Sequence, residues 1–185
     1  SVCGLLDTFE RHIIDSQSGH LRLFFDDRWQ SQSDMVSYGH DIEAAWLLVE
    51  AATVVGDETL VEYFGGIARR IAEAAAEGLN ADGSMSYEYD PTTAHRDDDR
   101  HWWVQAETVV GYFNLWDHFG SQEGLEKALT CWEFIKGNLV DREKGEWFWS
   151  IREDGSVNIE EDKAGFWKCP YHNGRMCMEI IERLR

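Results

Sequence analysis

His40-Asp41-Ile42-Glu43-Ala44-Ala45-Trp46-Leu47-Leu48-Val49 opens a run in which apolar residues return every three or four positions until a stop near Gly56. Trp103-Val104-Gln105-Ala106-Glu107 opens a second run of the same kind, which stops near Gly120. Such spacing predicts helices with a core-facing stripe. Each run is followed by another helix: Leu60-Phe64-Ile67-Ile71 ends near Gly78, and Leu125-Ala128-Trp132-Ile135 ends near Gly137. A short alternating stretch then follows each pair, at Gly83 and at Gly145. Glu43 and Glu107, Gly56 and Gly120, and Gly83 and Gly145 therefore hold equivalent places in a repeat of roughly 60 residues. A third unit starts at Pro170-Tyr171-His172 and carries Met176-Ile180-Leu184, while Leu5-Leu6-Phe9-Ile13 supplies a helix ahead of the first. Six helices in repeated pairs predict an all-α chain, an α/α toroid with short β-hairpins between helix pairs. The hairpins are expected at Leu21 to Phe25, Ser84 to Tyr89 and Trp147 to Ile151.

With 185 residues, of which 43% are hydrophobic, the chain can bury one core, and a single domain over 1–185 is expected. Its 17 basic against 35 acidic residues give a net charge of −18, which repels phosphate backbones and anionic lipid, so neither nucleic acid nor membrane is an expected partner. No apolar run approaches the roughly 20 residues of a membrane span, and a cytoplasmic location is the expectation. Cys3, Cys131, Cys169 and Cys177 form no C-x-x-C pair and are expected to be core thiols. Nine tryptophans exceed what a core of this size needs, and flat apolar faces suit stacking on sugar rings or other ring ligands, though tryptophan also simply fills cores.

Three segments carry candidate chemistry. In Ser37-Tyr38-Gly39-His40-Asp41-Ile42-Glu43, His40 falls in the first turn of a helix and Glu43 shares its face. The positive end of the helix dipole keeps such a histidine neutral and able to take a proton; equally, Asp41 and Glu43 could serve only to compensate the dipole. In Arg100-His101-Trp102-Trp103-Val104-Gln105-Ala106-Glu107, Trp103 and Glu107 lie on one face, a platform beside a carboxylate or a core indole beside a solvated acid. His95 and His101 sit in an acidic loop and are expected to be solvated. In Trp167-Lys168-Cys169-Pro170-Tyr171-His172-Asn173-Gly174-Arg175, proline fixes a helix entry that brings His172 and Arg175 to one face. Arg175 is the positive group available for an oxyanion, or a partner for a surface acid. No metal or cofactor is expected: His40-x-x-Glu43 lacks the second histidine of H-E-x-x-H, and no Gly-rich phosphate loop occurs.

These segments, in this order along the whole chain, resemble the N-acylglucosamine 2-epimerase superfamily, most closely its cellobiose 2-epimerase branch. Leu21-Leu23-Phe24-Phe25-Asp26 and Trp29 add to the likeness. The resemblance implies an (α/α)6 barrel of which this chain is about half, the C-terminal half. It implies that His40 and His172 form an acid/base pair, that Trp103 and Trp167 bind the sugar, and that Arg175, Glu43 and Glu107 belong to the site. It implies a reducing-end mono- or disaccharide as substrate, and a second copy or a separate N-terminal half as partner.

The chemistry of the residues agrees. Epimerisation next to a carbonyl removes the C2 proton and returns one to the opposite face, work for two bases near neutrality. Two other classes compete: an α/α-toroid glycoside hydrolase, which would use two carboxylates, and a carbohydrate-binding or interaction module without activity.

Overall fold

The computed structural model describes residues 1–185. Its helices are α1 (Val2–Thr8, prolonged by a π turn over Phe9–Ile13), α2 (Tyr38–Val55), α3 (Glu58–Ala75), α4 (Trp102–Phe119), α5 (Gln122–Phe134) and α6 (Tyr171–Arg183). Five short strands accompany them: β1 (Val36–Ser37), β2 (Glu88–Asp90), β3 (His95–Asp97), β4 (Arg100–His101) and β5 (Ser150–Ile151). The stops expected at glycine are real: Gly56 and Gly120 end α2 and α4 in the left-handed region, with φ of 78° and 69°. Asp57 and Ser121 cap the next helices at once, accepting hydrogen bonds from Thr59 and Leu60 and from Gly124. Connections this short fold α3 back on α2 and α5 back on α4.

Burial separates inner from outer helices. Every residue of α4 from Trp102 to Leu115 is buried, and α2 buries most of its circumference from Tyr38 to Ala52, leaving open the face that carries His40, Leu47 and Val54. A helix buried all round, as α4 is, must be covered all round. Here α3 and α5 cover the outside, while α2, α4 and α6 stand side by side as the inner row. Gly111 makes the inner row possible: a Cβ there would lie 2.5 Å from Ile42 Cγ1, so only glycine lets α4 approach α2 this closely. One hydrophobic cluster runs from Leu6 on α1 to Met176 on α6. The architecture is the arc of an α/α toroid that the repeat predicts. No helix is long and apolar enough to cross a membrane.

Two of the expected hairpins are present: Met85 bridges back to Leu79 and β2 pairs with β3, while Trp147 bridges back to Val140 and Ile151 to Val157. Leu21 to Phe25 forms only isolated bridges, Ile14 to Leu21 and Phe25 to Ser31. β2 pairs with β3 and also with the distant β1, and β4 pairs with β5 across the second helix pair. Two- and three-residue strands are too short to be stable alone, so these hairpins are extended by pairing with distant loops, β2 with β1 and β5 with β4. Of the cysteines only Cys131 is buried; Cys3, Cys169 and Cys177 are exposed, which corrects the expectation of core thiols.

Candidate functional site

The inner helices begin at the same end of the molecule, and their first turns line a cleft of about 470 Å³. α2 contributes His40 and Glu43, α4 contributes Trp103, and α6 contributes His172. Trp167 closes the cleft from the segment that leads into α6, with Tyr87, His101 and Trp149 on the remaining wall. Gly39 sets the floor. A Cβ at that position would fall 2.5 Å from Trp103 Cη2, so glycine allows the indole to press against the first turn of α2. Trp103 is then in ring contact with both histidines, its centroid 4.8 Å from His40 and 5.6 Å from His172.

Each histidine is held by one nitrogen. His40 Nδ1 shares a hydrogen bond of 2.8 Å with the buried Ser37 hydroxyl. His172 Nδ1 lies 2.7 Å from Glu107 Oε1, and because a carboxylate can only accept, Nδ1 carries a proton and Nε2 is the nitrogen free to exchange one with a ligand. Packing of the surrounding protein lowers the His40 pKa below its ordinary 6.5, an effect that the nearby carboxylates Glu43, Asp41 and Glu107 only partly oppose.

Beneath the cleft Glu107 is the hub. Its side chain is 1% exposed and takes three donors: His172 Nδ1 and Arg175 Nη2 (2.7 Å) on Oε1, and Trp46 Nε1 (2.9 Å) on Oε2. Arg175 Nη2 also donates to Glu43 Oε1 at 2.5 Å, and Nη1 to the Tyr171 hydroxyl at 2.8 Å. Burial works against the guanidinium charge, but Glu107 and Glu43 outweigh it and raise the Arg175 pKa above its usual value. Arg175 is therefore committed to two inner-helix carboxylates rather than to a surface acid. Oxygen and nitrogen atoms of Glu43, Glu107 and His172 lie within 4.8 Å of one another, close enough for a cation, and the cation lodged between the two carboxylates is this guanidinium.

All seven residues singled out in the sequence thus meet at one end of the inner row: His40, Glu43, Trp103, Trp167 and His172 on the cleft, Glu107 and Arg175 under it. The two indoles differ in setting, Trp103 being 9% exposed and Trp167 79%. Three contributors escaped the sequence. Trp46 has the spacing of a core residue, and only its indole N–H shows its tie to Glu107. Ser37 is an ordinary helix-start serine until its hydroxyl meets His40. His101, expected in solvent, stacks on Tyr87 with centroids 4.0 Å apart, because the β4 to β5 pairing draws its loop inward. Asp41 does more than balance the helix dipole: it is buried and takes His20 Nδ1 (2.7 Å) and the Leu21 backbone N–H (2.8 Å), so it ties the loop before α2 to the site end.

The model of the N-acylglucosamine 2-epimerase family (GlcNAc 2-epimerase) matches residues 3–174. The chain belongs to this family. A cellobiose 2-epimerase of Bacteroides fragilis is 58% identical over 177 residues, which are 96% of this chain and 45% of the relative. A cellobiose 2-epimerase of Ruminococcus albus is 43% identical over 88% of this chain and 42% of its own length. Among solved structures, a sugar epimerase from a ruminal bacterium superposes with a TM-score of 0.92 at 38% identity, covering 98% of this chain and 46% of that one. The chain therefore spans a little under half the length of the family members it matches.

Proposed function

We propose that this chain is the C-terminal half of an (α/α)6-barrel sugar 2-epimerase and carries both of its acid/base histidines. The observation that carries this reading is the pair His40 and His172, each fixed through Nδ1 and both in contact with the Trp103 platform. A reducing-end sugar, cellobiose by analogy with the relatives, opens its ring and stacks on Trp103. One histidine, unprotonated at Nε2, takes the C2 proton, the C2–H electron pair becomes the C1=C2 bond of a cis-enediolate as the C1=O π pair moves onto O1, and rotation about C2–C3 offers the other face to the second histidine, which starts protonated and returns its proton to C2 as C1=O re-forms. When His172 is the base, the imidazolium so formed is stabilised by Glu107, while Arg175 holds Glu107 and Glu43 in place. The second reading, a glycoside hydrolase, is disfavoured because Glu43 and Glu107 share one guanidinium nitrogen, which removes both from acid/base duty.

Beside the cleft an apolar groove of about 430 Å³ runs between α1 and α2, with Leu5 and Leu47 exposed along it. The absent half, or a second copy, covers this face in the working enzyme. A complete enzyme containing this half should convert cellobiose to glucosyl-mannose with no rise in free glucose, and the isolated chain should do so poorly. Chromatography of the products checks both; release of glucose without an epimer would support the hydrolase instead.

The lowered His40 pKa fixes the sign of the pH dependence. Only unprotonated His40 can accept a proton, and desolvation by the protein packed around its ring keeps it unprotonated to below pH 6.5, so the acid limb of kcat/KM that belongs to His40 should lie below pH 6.5. A pH profile with an acid limb centred above 7 would contradict the assignment.

A further inference from the structure

Trp167 reaches the cleft from a segment that runs from β5 to α6 without regular structure, and both it and Phe166 are largely bare to solvent. Immediately beside it, Lys168 has a side chain with no exposure at all. Its Nζ donates to Glu146 Oε1 at 3.0 Å and to the Lys163 carbonyl at 2.8 Å, and it stands 5.4 Å over the ring of Trp102. The Lys168 carbonyl in turn accepts from Gly165 N–H at 2.8 Å, which closes the turn that carries Trp167. Glu146 Oε1 also accepts from Asn173 Nδ2 at 2.8 Å, and Asn173 adjoins His172. Lys163 staples the other end of the turn to Asp141 (2.5 Å) and to the Gly145 carbonyl (2.8 Å).

An apolar side chain would fill this buried place without the cost of desolvating a charge. What an ammonium adds is direction, since its donors accept only one arrangement of Glu146, the turn and Trp102. We infer that Lys168 is a positioning residue whose buried contacts with Glu146, the Lys163 carbonyl and Trp102 hold Trp167 over the cleft and so set the affinity for the sugar. This rests on the sugar-site reading above. Lys168 touches no reacting atom and acts through Trp167, so its loss weakens substrate binding and spares the proton transfers.

The test uses a complete enzyme containing this half. Lys168→Met should raise KM for cellobiose on the order of tenfold with kcat changed less than about threefold, and Trp167→Ala should do the same. The double variant should be no worse than Trp167→Ala alone, because the lysine works through the indole. Lys168→Arg should recover part of the loss, and Glu146→Gln, which leaves the lysine in place, should reproduce it if Lys168→Met fails to fold. Hydrogen exchange without sugar should be faster over residues 163–168 in Lys168→Met than in the parent. A normal KM, a loss confined to kcat, or additive losses in the double variant would overturn the inference. If the parent shows no epimerisation, the functional reading fails and the exchange comparison alone decides the anchor: unchanged exchange over residues 163–168 refutes it.

Discussion

Replacing either histidine, His40→Asn or His172→Asn, in a complete enzyme containing this half is expected to lower kcat by a factor on the order of 10²–10⁴, the usual worth of a placed acid or base. Asparagine keeps a polar side chain that can still meet Ser37 or Glu107, so folding should survive. KM should move much less than kcat, because Trp103 and Trp167 remain to bind the sugar. The two losses should not multiply in the double variant, since an epimerase deprived of one base already fails to complete the exchange of faces. Steady-state kinetics with cellobiose, beside melting curves to confirm folding, measures this. Turnover within a few-fold of the parent in both variants would remove the histidines from the mechanism.

Glu107 is expected to show the second large effect, because it serves catalysis and stability together. Glu107→Gln keeps an oxygen that can accept from Trp46 or His172 but gives up the charge that balances Arg175. Its amide can also turn an N–H toward His172 Nδ1, which would select the tautomer with Nε2 protonated and useless as a base. A loss of kcat on the order of 10²–10⁴ is expected, comparable to the loss when a triad carboxylate is replaced by its amide. Glu107→Ala removes the hub altogether and leaves Trp46 Nε1 without an acceptor and Arg175 with Glu43 alone. Breaking a buried ion pair from one side costs about 3–5 kcal/mol, so this variant should melt far below the parent or fail to fold. Thermal unfolding and kcat measured on the same preparations separate the two roles. A Glu107→Gln enzyme of normal activity would show that the link to His172 is dispensable.

Much of this was legible from the chain. The repeat could be read because two glycines, Gly56 and Gly120, end equivalent helices in the left-handed region, which few other residues tolerate. Helix starts could be read because His40, Trp103 and His172 each lie at the onset of a periodic apolar run, and first turns at one end of a toroid converge. What stayed hidden depends on tertiary direction. Trp46 and a core tryptophan have the same spacing; the difference is where the indole N–H points. Lys168 has the look of a solvated charge in any sequence, and only the fold puts Glu146 within reach of it. His101 sits among acids and an arginine, and its partial burial comes from a pairing between strands about fifty residues apart, β4 with β5. The hairpins around Ser84 to Tyr89 and Trp147 to Ile151 could be read from local alternation, whereas the pairing of β2 with β1 and of β4 with β5 joins segments far apart in the chain.

Proton exchange at C2 tests the central claim most directly. A complete enzyme containing this half, given cellobiose in D2O, should place deuterium at C2 of the epimerised product, seen by NMR or mass spectrometry, at the parent rate less any solvent isotope effect. Both His40→Asn and His172→Asn should slow the appearance of label together with that of the epimer. Epimer formed without deuterium at C2 would contradict transfer through these histidines.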